Sequence, residues 1–218
     1  MSGFALRDGL SFCRPDGRIV FLDIEADRYF GLSPELDRAF AALADHGTFD
    51  DDAGVALIRT GIITPSPSAV RPQPCARVGP PDRGIELRNG RASPIDIGRA
   101  LLLRAIWRRR LRKKPLASNL AAIARRKSAS TAKPPSHKML ARIGLAYQRA
   151  ALLSSARDQC LATSLSLASW LLTADFRPDL VLGVKCDPFQ AHSWVEIDGR
   201  IIGDDPENAR PFCPIRTI

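Results

Sequence analysis

Long apolar runs are missing from this 218-residue chain; the longest uninterrupted ones are a few residues, against the roughly 20 that a bilayer-spanning helix requires. The N-terminus lacks a charged start followed by an apolar core and a small-residue cleavage site, so a cytoplasmic protein with no membrane partner is expected. Cysteine pairs of the C-x-x-C type are absent: Cys13, Cys75, Cys160, Cys186 and Cys213 form an odd set, accompanied by only three histidines. That argues against a disulfide framework and a zinc module, and no metal is expected. No glycine-rich loop ending in lysine is present to cradle phosphates.

Acidic residues are missing from 97–157, which holds 16 Lys and Arg, so the whole-chain charge of +9 belongs to one block. The flanking regions are acidic: 1–64 holds 6 basic against 11 acidic residues, and 158–218 holds 5 against 9. Few aromatics interleave with the basic block beyond Trp107 and Tyr147, which argues against nucleic acid. Arg108-Arg109-Arg110-Leu111-Arg112-Lys113-Lys114 can dock an acidic partner, hold a phosphate, or simply keep a helix face wet.

Residues 9–32 read as a three-stranded meander: Leu10 to Cys13, Ile19 to Leu22, and Arg28 to Leu32, with turns at Pro15-Asp16-Gly17 and after Leu22. Ser33-Pro34-Glu35 starts a helix carrying Leu36, Phe40 and Leu43, which ends near Gly47. Asp50 to Asp52 open a second helix whose apolar stripe is Val55, Ile58 and Ile62. Six prolines within 65–81 then mark a linker. The expected organisation is a module over 1–64, a Pro-rich linker over 65–92 and a second domain over 93–218. In that second domain, Ile95, Leu101, Leu102, Leu103, Ile106, Trp107 and Leu111 form the apolar side of a helix with arginines opposite. A further helix covers about 117–126, a polar loop covers 127–136, and helical spacing resumes from Met139 to Leu152.

The last 60 residues order a helix and three strands so that Cys, His and Asp fall on successive elements. Leu161, Leu165, Ala168 and Leu172 recur at helical spacing directly after Cys160, placing the thiol at a helix N-terminus, where thiolate is favoured. His192 lies on a strand and shares a face with Trp194 and Glu196; a carboxylate is needed to orient its ring. A two-residue Asp198-Gly199 turn places Asp205 opposite His192, whereas a three-residue loop places Asp204 there. The residues allow both. Cys13, Cys75, Cys186 and Cys213 read as packing residues.

The runs Asp158-Gln159-Cys160-Leu161-Ala162-Thr163-Ser164-Leu165, Gly183-Val184-Lys185, Pro188 to Glu196 and Ile201-Ile202-Gly203-Asp204 resemble the lasso peptide biosynthesis B proteins. These are transglutaminase-like leader peptidases, and the spacings of 32 from Cys to His and 12 from His to Asp agree with that family. The resemblance selects Asp204 and implies a catalytic Cys160, His192 and Asp204. The implied fold class is α+β: an N-terminal winged-helix-like recognition module of three strands plus helices, followed by a transglutaminase-like or papain-like cysteine peptidase domain. A leader segment would add along the third strand beside the last helix, between Arg28 to Leu32 and about Asp52 to Ile62. Tyr29, Phe30, Leu32, Val55 and Ile58 are the implied leader-binding residues.

The reading is a cysteine protease that cleaves leader from core in a ribosomally made lasso peptide precursor, an antibiotic-biosynthesis role. Expected partners are the precursor peptide and an asparagine-synthetase-like lactam synthetase. The chemistry needs no cofactor, although the resemblance carries a link to ATP. Competing readings are a winged-helix nucleic-acid-binding regulator with a degenerate enzyme-like domain, and an acyltransferase or transglutaminase using the same three residues.

Overall fold

The structure, a computed structural model, describes residues 3–48, 51–66, 71–75, 83–84, 91–130, 136–153 and 159–218. The fold is α+β, with a small N-terminal sheet and helices followed by a set of longer helices and a five-stranded sheet. The meander is present: β2 (Leu10–Cys13), β3 (Val20–Asp23) and β4 (Arg28–Phe30) form an antiparallel sheet in that order. Two helices follow, α1 (Pro34–His46) and α2 (Asp51–Arg59), and Gly47 closes α1 in a left-handed conformation (φ 76°) that glycine adopts without strain. A second small sheet was not legible in the sequence. It pairs β1 (Gly3–Leu6) with β5 (Ile63–Ser66), setting Pro65 opposite Phe4, because a two-stranded sheet has only edges and tolerates a proline there.

Both faces of the meander are covered. Leu10, Phe12, Ile19 and Phe21 face Phe40, Leu43 and Leu57, whereas Cys13, Val20, Leu22 and Ile24 belong to the core of the rest of the chain. This alternation is the period-2 pattern of a strand with a hydrophobic layer on each side. The α2 stripe differs from the expectation: Leu57 is buried, but Val55 and Ile58 are 56% and 37% exposed. The helix packs chiefly on α1 and β5, and that orientation turns Val55 and Ile58 outward. Of the Pro-rich stretch, 67–70, 76–82 and 85–90 lie outside the described residues; β6 (Arg83–Gly84) runs parallel to a strand of the large sheet.

Four helices lie between β6 and the other strands of that sheet: α3 (Pro94–Leu111), α4 (Leu116–Ala129), α5 (His137–Leu152) and α6 (Cys160–Thr173). The strands β7 (Asp179–Lys185), β8 (Gln190–Ile197), β9 (Arg200–Ile201) and β10 (Cys213–Thr217) join β6 in the order β10-β7-β8-β9-β6, with a short helix α7 (Pro206–Ala209) before β10. Helix α6 is buried nearly all round, as expected for a helix enclosed between a sheet and other helices. Residues 127–129 of the expected polar loop belong to α4, while 131–135 lie outside the described residues.

The apolar side expected for α3 holds in part: Trp107 is buried and Leu101, Leu103 and Leu111 pack against the core, whereas Ile95, Leu102 and Ile106 face outward. Ile95, Leu102 and Ile106 are 81%, 61% and 51% exposed, and the buried stripe is Asp96, Ala100, Arg104 and Trp107. Two polar side chains turn inward because each finds partners there. Asp96 completes a capping box with Ser93 and takes two hydrogen bonds from Arg142, at 2.8 and 2.7 Å. Arg104 donates to the carbonyl of Ala150 and to Gln159 Oε1, both at 3.2 Å. Much of the basic block is thus structural. Arg126 donates to Ser169 and Thr173 of α6, Lys127 pairs with Asp179 on β7, and Arg99 and Arg110 lie over Trp170 and Trp107.

The hydrogen bonds from Arg142, opposed by burial, hold the Asp96 carboxyl well below the usual carboxylate range. Asp96→Ala removes both the cap and the acceptor for Arg142, and a stability loss on the order of 2 kcal/mol at pH 7 is expected from urea unfolding. Because the folded carboxyl titrates below the unfolded one, that difference should shrink as pH falls below about 4.

Candidate active site

Cys160 is the first residue of α6, so the unpaired amides of the helix N-terminus favour a negative sulfur. One turn later, Ser164 Oγ donates to the carbonyl of Ser193 on β8 at 2.8 Å, and the Ser193 hydroxyl lies 3.2 Å from Ser164 Oγ. Both serines are buried. This pair fastens the start of α6 to the strand segment that carries His192, and His192 and Ser193 both act on the Cys160 sulfur to favour its thiolate.

His192 Nε2 is 2.9 Å from Asp204 Oδ2, which leaves Nδ1 as the ring nitrogen for the thiol. The other carboxylate oxygen, Asp204 Oδ1, accepts from the Asp205 N–H at 2.8 Å and from Asn208 Nδ2 at 2.9 Å. Asp205 turns away and caps α7 by accepting from the Glu207 N–H.

The turn that brings Asp204 here is the two-residue one. Ile197 pairs with Arg200 and Glu196 with Ile201, with Asp198 and Gly199 both at positive φ between the strands. Continued without interruption, that register sets Asp205 across from His192. It is interrupted at Gly203, whose φ of 74° redirects the chain one residue early; a Cβ there would also lie 3.1 Å from Leu167. On the neighbouring strand, Gly183 pairs with His192, and a Cβ on it would lie 2.7 Å from the Trp194 ring. Trp194 therefore closes down over the glycine, stacks beside His192 at 6.0 Å and donates to Glu196 at 2.6 Å.

The electrostatics favour an ion pair. Burial pushes the Cys160 thiol up, but the hydrogen bond from His192 and its positive charge, with Ser193, reverse this and bring it below its ordinary value. Burial also disfavours a charged His192; the hydrogen bonds to Asp204 and Cys160 outweigh it and push the imidazole up to about 9. Burial alone would raise Asp204, yet His192, Asn208 and the Asp205 amide hold it below the usual range. A thiolate beside an imidazolium, oriented by a carboxylate, is equipped for nucleophilic attack on a carbonyl followed by proton delivery to a leaving group.

These groups line a cleft of about 430 Å³ with Arg104, Tyr147, Gln190 and Asn208. Arg104 and Asn208 do not stand out in the sequence: the first is hidden among the arginines of α3, and the second lies in the short helix α7. Among the described residues, no group of three or more His, Cys, Asp or Glu side chains could hold a metal ion, and no helix is long and apolar enough to cross a membrane. The remaining cysteines sit apart from the cleft: Cys13 is buried, Cys186 and Cys213 pack against the main core, and Cys75 Sγ is 3.6 Å from Thr217 Oγ1.

The expected leader-binding residues are not all brought together. Phe30 stacks on Phe21 at 5.2 Å and Leu32 packs in the same cluster with Phe40. Tyr29, one residue along the strand, points to the opposite face and meets Phe189 at 5.8 Å, close enough to Cys160 to feel its charge. Val55 and Ile58 are exposed on α2, and β4 is an edge strand among the described residues.

Residues 101–217 match the family model of the transglutaminase-like superfamily, and the chain belongs to that superfamily. Over 50 residues it is 40% identical to the microcin J25-processing protein McjB of Escherichia coli, a stretch that is 23% of this chain and 24% of that protein. The chain thus aligns with about a quarter of that relative, and the two matches support the resemblance to lasso peptide biosynthesis B proteins. No solved structure matches the chain.

If the ion pair is set by His192, alkylation of Cys160 by iodoacetamide, followed on its own tryptic peptide, should already be near its maximal rate below the pH where an ordinary thiol ionises. His192→Ala should slow it on the order of tenfold at pH 7 and shift the rate profile to higher pH.

Proposed function

We propose that this protein is a cysteine peptidase that binds the leader of a ribosomally synthesised lasso peptide precursor and cleaves leader from core. The observation that carries this reading is the alignment of Cys160, His192 and Asp204 in one cleft. The Cys160 thiolate attacks the carbonyl carbon of the last leader residue, forming a C–S bond and a tetrahedral oxyanion. As that intermediate collapses, the His192 imidazolium protonates the departing amine, which leaves as the free N-terminus of the core. Neutral His192 then takes a proton from water, whose oxygen attacks the thioester and releases the leader as a carboxylate. Asp204, held by Asn208, keeps the ring in the tautomer that presents Nδ1 to the sulfur. The freed amine is the group a partner lactam synthetase of the asparagine-synthetase type would join to a side-chain carboxyl. No step requires a cofactor; a link to ATP would show as faster cleavage when ATP is added.

Leader capture on β4 uses the same logic as adding a strand to a sheet edge: main-chain hydrogen bonds give affinity, and neighbouring side chains give selectivity. The β4 edge is not taken by another strand among the described residues, and Val55 and Ile58 offer apolar contacts outside the module core. Tyr29 of β4 meets Phe189, three residues before His192 in sequence.

A short precursor encoded beside this gene is the substrate to try, with products read by mass spectrometry. Cys160→Ala should abolish leader removal and leave leader binding nearly unchanged; cleavage that persists in the variant sinks the assignment. A product carrying an added amine in place of water would move the reaction to acyl transfer. For the wild type, kcat/KM should fall on the basic side near pH 9 as His192 loses its proton, and on the acid side as the thiolate is protonated. Val55→Asp with Ile58→Asp should weaken leader binding about tenfold or more by calorimetry, with little change in Tm because both side chains are exposed.

A further inference from the structure

Arg104 is 6% exposed and lines the cleft that holds Cys160. A guanidinium carries five N–H donors and keeps its charge at any physiological pH. One N–H on each terminal nitrogen is used: Nη1 donates to the Ala150 carbonyl and Nη2 to Gln159 Oε1, both at 3.2 Å. Nε is buried with no hydrogen-bond partner. Both acceptors are neutral, and no carboxylate pairs with Arg104 among the described residues. Burial works against the charge, and a buried cation without a counter-ion is expensive. Elsewhere in these helices the chain meets that cost with its own acids, joining Arg142 to Asp96 and Lys127 to Asp179. Arg104 faces the cleft instead. Among the described residues that line it, Asp204 is the only acid, and that carboxylate is committed to His192, Asn208 and the Asp205 amide.

We propose that Arg104 forms a carboxylate-binding subsite of the cleft, and that the peptide bound there brings an acidic group close to Cys160. A carboxylate matches the planar fork of a guanidinium and supplies the counter-charge that the fold leaves out. The bonds to Ala150 and Gln159 hold the side chain in place beforehand, so a ligand does not have to order a long, mobile arginine. The start of α6 opens on the same cleft and adds potential of the same sign. Arg104 also ties α3 to the end of α5 and to the residue before α6. That tie accounts for two of its donors and leaves the charge unexplained. Two groups of a precursor carry the required chemistry: an acidic side chain near the bond that is cut, and the leader terminus freed by the cut. The inference rests on the proposed peptidase reading for its ligand, but the subsite is testable without a precursor.

The test uses pairs of thiol reagents that differ only in charge, on the full-length protein. Iodoacetate and iodoacetamide lose iodide to the thiolate. 3-Maleimidopropionate and its amide take the thiolate across their ring double bond, and water supplies the proton to the adjacent carbon. The two pairs hold the carboxylate at different distances from the sulfur. Labelling is followed on the Cys160 peptide by mass spectrometry, because four other thiols are present. For at least one pair, the acid-to-amide rate ratio at Cys160 should exceed that of the urea-unfolded chain. Arg104→Gln should lower that ratio about tenfold and change the amide rates little. Arg104→Lys keeps the charge and loses the fork, so its ratio should fall part of the way; it carries the comparison should the first variant not fold. A wild-type ratio no higher than that of the unfolded chain would overturn the proposal. So would a raised ratio that survives both substitutions, since the His192 imidazolium then accounts for it. Acid and amide rates that fall together, or a shifted pH profile for iodoacetamide, would overturn it in favour of a structural or thiolate-stabilising role. With a precursor that the wild type cleaves, two further arms separate the sources: Asp→Asn and Glu→Gln changes in the precursor, read as KM, and the leader ending as acid or as carboxamide, read as product inhibition. The effect that disappears in Arg104→Gln identifies the ligand, and no Arg104-dependent effect in either arm would overturn the proposal. A reagent preference that depends on Arg104, with no precursor cleavage by the wild type, would leave the subsite standing and refute the peptidase reading.

Discussion

The hydrogen bond from Ser164 to the Ser193 carbonyl is small, but the geometry of the cleft depends on it. Helix α6 is apolar around most of its circumference, so hydrophobic burial fixes its depth and not its rotation or register against β8. A directional bond between buried groups supplies what burial lacks. It costs about 1–3 kcal/mol to leave either group unpaired, so registers that break it are disfavoured. Cys160 lies one turn before Ser164 and His192 one residue before Ser193, so the register that satisfies the serines is also the one that joins thiol to imidazole. The remainder of the site is anchored outward from this pair, through Asp204 to Asn208 on one side and through Gln159 to Arg104 on the other.

Charge on this chain shows how little a total says about where charges act. The block over 97–157 looked like one surface, since no acidic residue interrupts it. The folded helices divide it. Arg104 turns into the cleft, Arg126 and Lys127 bind α4 to α6 and β7, and Arg142 reaches the buried Asp96. Arg108, Arg109, Arg112, Lys113 and Lys114 remain exposed around the end of α3. The internal roles arise because most of the partners, Asp96, Gln159, Ser169 and Asp179 among them, come from outside the block, and no local pattern announces them.

Legibility in the sequence followed the range of the interactions involved. The meander and α1 were readable because alternation, Pro34 and Gly47 act within a few residues. Cys160 and His192 stood out through their own elements, the start of an apolar helix and a strand. The carboxylate was not readable from spacing: the turn at Asp198-Gly199 is the type that points to Asp205, and Asp204 reaches the ring because Gly203 breaks the strand. The inward face of α3 is only partly legible for a related reason. Its inward face carries Asp96 and Arg104, whose burial is possible only with Ser93, Arg142, Ala150 and Gln159 already in place.

The placement of the meander limits how a leader bound as proposed could reach the cysteine. Were the N-terminal module a ball on a flexible tether, many leader lengths would serve, and local concentration alone would speed the reaction. Here Val20 and Leu22 of the central strand are buried in the same core as Leu182 and Ile215 of the large sheet, and Tyr29 of β4 meets Phe189, three residues before His192. A module with a hydrophobic layer on each face of its sheet does not swing without exposing one of them. A peptide strand seated on β4 would therefore lie at a set distance from Cys160, and the residue presented for attack would be chosen by counting along the leader as much as by the cleft's own side chains.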